Sequence, residues 1–201
     1  MLKLSLPLQT NAWLTPLIVL LTSVIVFLLP ESVSDTLVFD RTDIENGQWW
    51  RIFTGHFDHT NFNHLLLNLA GLIMLWALHG DHYRHGLFTG VFLISVITTS
   101  LGIYYFDTDM NRYVGLSGVL HGVFVFGAIA DIRGSDKTGY LLLIGIIAKI
   151  IYEQVAGASE DMVDLIGASV AIDAHLFGAI GGLIAGLIWL AITKSKSPKP
   201  S

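Results

Sequence analysis

The chain has 201 residues, a net charge of −5 and a mean hydropathy of +0.64. Only 13% of the residues are charged, about half the roughly 25% of an ordinary soluble protein, and 53% are hydrophobic. That balance indicates a one-domain membrane protein, and the lack of cysteine excludes a disulfide framework, a thiol nucleophile and a cysteine metal site.

A helix needs about 20 apolar residues to cross a hydrocarbon core of roughly 30 Å. Six segments meet that need: 13–29, 63–78, 86–106, 116–132, 139–155 and 174–193. The first ends at Pro30 and is too long for a signal peptide, with no small-x-small cleavage site after it, so it is expected to stay as an anchor. The loop 30–62 is too long for a plain connection. Its stretch Trp49-Trp50-Arg51-Ile52-Phe53 suits a membrane interface, and short helical pieces lying partly in the outer leaflet are expected there. The second segment carries His64 and Asn68, the fourth is entered through Gly115-Leu116-Ser117-Gly118, and the sixth opens with His175. Residues 194–201 read as a disordered basic cytoplasmic tail behind a single domain spanning 1–193.

Loop charges set the orientation. Six crossings put both termini on one side, which holds Lys3, Arg84, Arg133, Lys137, Lys194, Lys196 and Lys199. The other side holds Arg41, Arg51 and Arg112. Seven against three predicts cytoplasmic termini and an outer loop rich in acids: Glu31, Asp35, Asp40, Asp43, Glu45 and Asp58. Ser117 and His175 then start their helices near the outer face, at similar depth.

Polar and ionisable residues at membrane depth are costly and are functional candidates by default. Serine needs a base to become a nucleophile, and histidine has a suitable pKa. The ridge Gly178-x-x-x-Gly182-x-x-x-Gly186 lets helix backbones approach closely, and Gly118 and Gly122 supply small residues on the fourth segment. The glycines therefore have a task, bringing Ser117 Oγ to the His175 ring. The alternative is that they only pack. His64 and Asn68 share a helical face at i and i+4 and offer donors for a tetrahedral oxyanion, with the Ser117 N–H as a third. They could equally serve as interhelical hydrogen bonds that hold the bundle.

Together, Gly115-Leu116-Ser117-Gly118, His64-x-x-x-Asn68 and Ala174-His175-x-x-Gly178 resemble the rhomboid intramembrane serine proteases, and Trp50-Arg51-x-x-Thr54 looks like that family's first-loop motif. The string Tyr113-Val-Gly-Leu-Ser-Gly-Val-Leu-His-Gly122 resembles the rhombosortase branch. The resemblance implies an all-α, six-transmembrane-helix bundle with a Ser117–His175 dyad lacking a catalytic acid. It also implies an oxyanion site of His64, Asn68 and the Ser117 backbone. Gly115, Gly118, Gly178 and Gly182 are supporting residues. No cofactor, metal or nucleic acid is expected. The implied substrates are C-terminal tails of exported proteins: a Gly-Gly motif, one transmembrane helix and a basic end, cleaved in the bilayer with transfer to water or an amine. The implied location is the bacterial inner membrane, with the site opening outward. In one departure, His121 stands where many relatives carry a tyrosine. It is expected to support the site by stacking on His175, the alternative being that it competes as base.

Other polar residues carry weaker signals. His56-Phe-Asp-His59 has a spacing that a helix could turn toward a metal, but polar loop residues shaping the site entrance are the plainer reading. Lys149, mid-way along the fifth segment, is one turn from Glu153 and is expected to pair with it or snorkel. Asp173 precedes His175 by two residues, faces elsewhere, and is a poor third member. Asp131 near Arg133 reads as an ordinary cytoplasmic helix end. Two rival classes remain: a silent rhomboid-like protein that escorts transmembrane helices, lacking one of the two key residues, and a small transporter, whose paired repeats are not seen.

Overall fold

The structure is a computed structural model that describes residues 6–83 and 86–195. Six long helices follow the six apolar segments within a few residues: α1 (Thr10–Phe27), α5 (Phe62–His79), α6 (Leu87–Phe106), α7 (Ser117–Arg133), α8 (Thr138–Ala156) and α10 (Ile172–Ser195). Five are long and apolar enough to cross a membrane: α1, α5 continued to His82, α6, α8, and α10 to Thr193. The fourth segment, α7, has 17 residues and falls just short of that length. Its position accounts for its composition. It packs against α5, α6, α8 and α10, so glycine and alanine replace bulky lipid-facing residues along it. Lys3, Arg84, Lys196 and Lys199, used in the charge count, lie outside the described residues, as does the expected tail from 196 onward. α10 includes the first two residues of that tail, 194 and 195.

The long outer loop folds into short pieces: α2 (Glu31–Ser34), β1 (Phe39–Asp40), α3 (Arg41–Glu45), α4 (Arg51–Thr54) and a 3-10 turn (Gly55–Phe57). Arg51 organises it from within. Its guanidinium pairs with Asp43 at 2.7 Å and donates to the Asp35 and Val38 carbonyls at 2.8 and 2.7 Å, and to Gln48 at 2.8 Å. A buried charge is tolerable when it is paired and fully hydrogen-bonded, as here. Among the described residues, the departure from an all-α chain is a two-strand ladder. β1 pairs antiparallel with β2 (Arg112–Tyr113), matching Phe39 to Tyr113 and Asp40 to Arg112. Through that ladder the loop holds the stretch that leads into Ser117.

A short helix, α9 (Glu160–Ile166), lies between α8 and α10 and was not expected from the sequence. At seven residues it falls below the length at which apolar periodicity is readable. The Ser159 side chain caps it, accepting from the Met162 N–H. It docks on the start of α5, where Thr60 donates to Ile166 O at 2.6 Å and Asn61 and Asn63 reach Leu165 O at 3.2 Å.

Candidate active site

Ser117 is the first residue of α7, and the turn before it depends on Gly115. Gly115 has φ +112°, a conformation that favours glycine, and a Cβ there would lie 2.7 Å from His64 Nε2. The Tyr113 hydroxyl donates to Gly115 O at 2.7 Å, and Gly115 N donates to Gly55 O at 3.2 Å, fixing the turn from both sides. Leu116 provides no side-chain cap for α7.

His175 lies near the start of α10, and its Nε2 is 3.0 Å from Ser117 Oγ. Small residues make that approach possible. A methyl on Gly118 would lie 2.8 Å from Ala174 O, and one on Gly178 or Gly182 would collide with the carbonyl of Gly118 or Gly122. Gly186, the third member of the ridge, faces the Ile129 side chain instead of a glycine.

His64 and Asn68 are buried on one face of α5. Asn68 Nδ2 donates to His64 O at 3.1 Å and would stand 3.7 Å from a Gly115 Cβ, so its second proton is available toward the turn. His64 Nδ1 contacts Thr60, at 3.4 Å from the amide and 3.1 Å from the hydroxyl. The other ring nitrogen faces Gly115. A cavity of about 410 Å³ opens between this face and the outer loops, and Ser117, His64, Thr60, Tyr113, Asp107 and Arg112 are among its walls. Burial, then the nearby Asp173, holds the Asp107 carboxyl above the usual range.

His121 stacks on His175 with ring centroids 4.1 Å apart and planes 15° from parallel. Its Nδ1 is 2.7 Å from Ser117 O, and its Nε2 is 3.0 Å from Lys149 Nζ. A carbonyl only accepts and an ammonium only donates. The ring therefore carries its proton on Nδ1 and accepts at Nε2. With both nitrogens committed, it has no lone pair left for the serine.

The resemblance implied a dyad without a catalytic acid, and beside the histidine of that dyad the structure places a carboxylate. Glu153 Oε2 is 2.9 Å from His175 Nδ1, while Glu153 Oε1 accepts from Lys149 at 2.6 Å. The Lys149–Glu153 pair was legible as i, i+4 spacing. Its reach to His175 was not, because the sequence does not say which helix the α8 face meets. Asp173 takes no part, since its Oδ1 accepts from Gln154 at 2.8 Å.

The weaker candidates disperse. His56 is buried against Ser100, at 2.8 Å, and burial pushes its pKa down to about 4. His59 Nδ1 is 3.2 Å from Phe57 O, and burial, then His64, takes its pKa to about 3. Burial favours the neutral ring in both, His59 packs edge-on against His64 with centroids 4.9 Å apart, and Asp58 accepts from the His59 amide at 2.8 Å. Asp131 is more than a helix end: it bonds His82 at 2.8 Å and lies 3.2 Å from His79, while Arg133 stacks over Trp189.

The rhomboid domain family model matches residues 46–192. The chain belongs to the rhomboid family. It is 28% identical to the protein named "Putative rhomboid protease YdcA" of Bacillus subtilis (strain 168), over 81% of this chain and 77% of that one. It is 29% identical to the rhomboid protease GluP of the same organism over 71% of this chain, which spans only 26% of GluP. It is 27% identical to the rhomboid protease GlpG of Yersinia enterocolitica, over 88% of this chain and 63% of that protein. This rhomboid chain is a membrane-embedded serine endopeptidase.

Proposed function

We propose that this rhomboid cleaves transmembrane substrates with Ser117 as nucleophile and His175 as base. The 3.0 Å contact between Ser117 Oγ and His175 Nε2, beside a cavity open to the outer loops, carries the reading. Ser117 Oγ attacks the scissile carbonyl carbon while its proton passes to His175 Nε2, and the carbonyl π pair moves onto oxygen. The oxyanion is met by the Ser117 N–H, the free Asn68 amide proton and His64 Nε2–H, the last in the tautomer whose Nδ1 accepts from the Thr60 amide. Collapse breaks the C–N bond, and the amine leaves with the proton from Nε2. Water, or an amine, then attacks the ester on Ser117 and gives its proton to Nε2. Collapse of this second adduct expels Ser117 Oγ, which takes that proton back.

α7 supplies the sixth crossing in this reading, both termini are cytoplasmic, and the site opens outward at a bacterial inner membrane. The substrate class we favour is the C-terminal sorting tail of exported proteins. The resemblance of residues 113–122 to the rhombosortase branch supports it. A wider rhomboid specificity for other single-pass proteins is the second reading, favoured by the relatives, which carry only the rhomboid name.

Co-expression with two reporters separates the readings. One ends in Gly-Gly, an apolar helix and a basic tail; the other replaces both glycines with leucine. The proposal predicts tail removal from the first only, and no removal by Ser117→Ala. Equal cleavage of both overturns the sorting assignment, and cleavage surviving Ser117→Ala overturns the mechanism.

A further inference from the structure

The base in a serine mechanism must present a lone pair at Nε2, so its proton must be on Nδ1. A neutral imidazole left alone samples both tautomers. Here Glu153 Oε2, at 2.9 Å, is an acceptor aimed at Nδ1. The carboxylate comes from α8, a helix that turns most of its surface outward, and it is nonetheless well covered, with its side chain 12% exposed.

We propose that Glu153 is a positioning residue that holds His175 in the Nδ1–H tautomer, and that Lys149 fixes which carboxylate oxygen faces the ring. The proposal rests on the reading of Ser117 and His175 as nucleophile and base. The contacts close a ring of side chains. Ser117 Oγ meets His175, His175 meets Glu153, and Glu153 meets Lys149; Lys149 meets His121, which returns to Ser117 O. Lys149 and Glu153 are one turn apart on one face of α8, so both reach the site together. An unpaired carboxylate at membrane depth is costly, and the ammonium beside it offsets part of that cost. Among the described residues, His121, Glu153 and His175 also have the spacing of a metal site. The Lys149 ammonium already occupies the cation position between His121 Nε2 and Glu153 Oε1, at 3.0 and 2.6 Å.

During attack the Ser117 proton goes to His175 Nε2 and no further. The imidazolium that forms faces the Glu153 carboxylate, which keeps its charge. Because one carboxylate oxygen serves Lys149 and the other His175, a glutamine at this position is constrained. Its carbonyl must accept from Lys149, so its NH2 group faces Nδ1 and selects the wrong tautomer.

The test measures kcat and KM for a transmembrane reporter in proteoliposomes with Glu153→Gln and the double variant Lys149→Met/Glu153→Gln. Glu153→Gln should lower kcat by about 10²-fold or more, toward the ~10⁴-fold loss seen when a triad aspartate becomes asparagine, with KM little changed. In the double variant the amide is free to flip and offer its carbonyl to Nδ1, so at least about tenfold of kcat should return. A purely structural role predicts no such recovery on removing a second side chain. Activity of Glu153→Gln within threefold of wild type, or a double variant no better than the single, overturns the proposal. A ¹⁵N-histidine spectrum of the wild-type protein tests it without a variant: protonated Nδ1 and unprotonated Nε2 on His175 are expected, and the reverse overturns it. If His175→Ala kept activity, the underlying base assignment would fail. If His175→Ala is dead while Glu153→Gln is fully active, only the positioning role fails.

Discussion

Replacing Gly178 with alanine should separate the two halves of the site. A Cβ at this position collides with the Gly118 carbonyl, which is backbone and cannot rotate away. Real Cβ atoms do not approach closer than about 3.0 Å, so α7 and α10 must part by about an ångström. Gly118 is next to Ser117, and Gly178 is one turn beyond His175, so the displacement acts on the 3.0 Å Oγ–Nε2 contact. A misplacement of about 1 Å costs on the order of 10²-fold in rate, and overpacking costs about 1–3 kcal/mol of stability. The assay is cleavage of a transmembrane reporter in proteoliposomes, alongside the thermal midpoint in detergent. Gly145→Ala is the control, since a Cβ there meets nothing within 4 Å on the exposed face of α8. It should keep full activity, and the better helix propensity of alanine should leave stability equal or higher. Wild-type rates from Gly178→Ala would refute the close-approach argument.

Three other changes follow from the packing around the site. Gly115→Ala combines a strained φ of +112° with a Cβ 2.7 Å from His64 Nε2, so reporter cleavage should fall at least about tenfold; unchanged cleavage would contradict the role given to the turn. Arg51→Ala leaves the buried Val38 carbonyl without this donor, at about 1–3 kcal/mol, read as a lower thermal midpoint. Stability should also fall on acidification. The fold keeps His56 and His59 neutral, with pKa values near 4 and 3 against an ordinary 6.5. The unfolded chain therefore binds more protons below about pH 6.5, and stability present above that pH is lost as it falls toward 4, by up to roughly 3 kcal/mol for His56. Midpoints at pH 7 and pH 5 measure this, and His56→Gln should flatten the difference.

Much of this was legible because membrane helices write themselves plainly. The apolar segments give six helices within a few residues of where they lie. The glycines at 118, 122, 178 and 182 announced the contact that brings α7 and α10 together. What stayed hidden depends on which faces meet. Lys149 and Glu153 read as a self-contained pair, because a carboxylate shows no sign in sequence that its second oxygen is used. Asp131 read as a helix end, because its partners His79 and His82 lie some fifty residues earlier, on and just after α5. α9 was too short to show a period.

The central claim is that Ser117 is a nucleophile activated by His175. Its most direct test is a fluorophosphonate probe applied to the protein in its membrane, followed by peptide mapping. The account predicts one modified residue, Ser117, and loss of labelling in both Ser117→Ala and His175→Ala. Labelling that persists in Ser117→Ala, or is undiminished in His175→Ala, would contradict it.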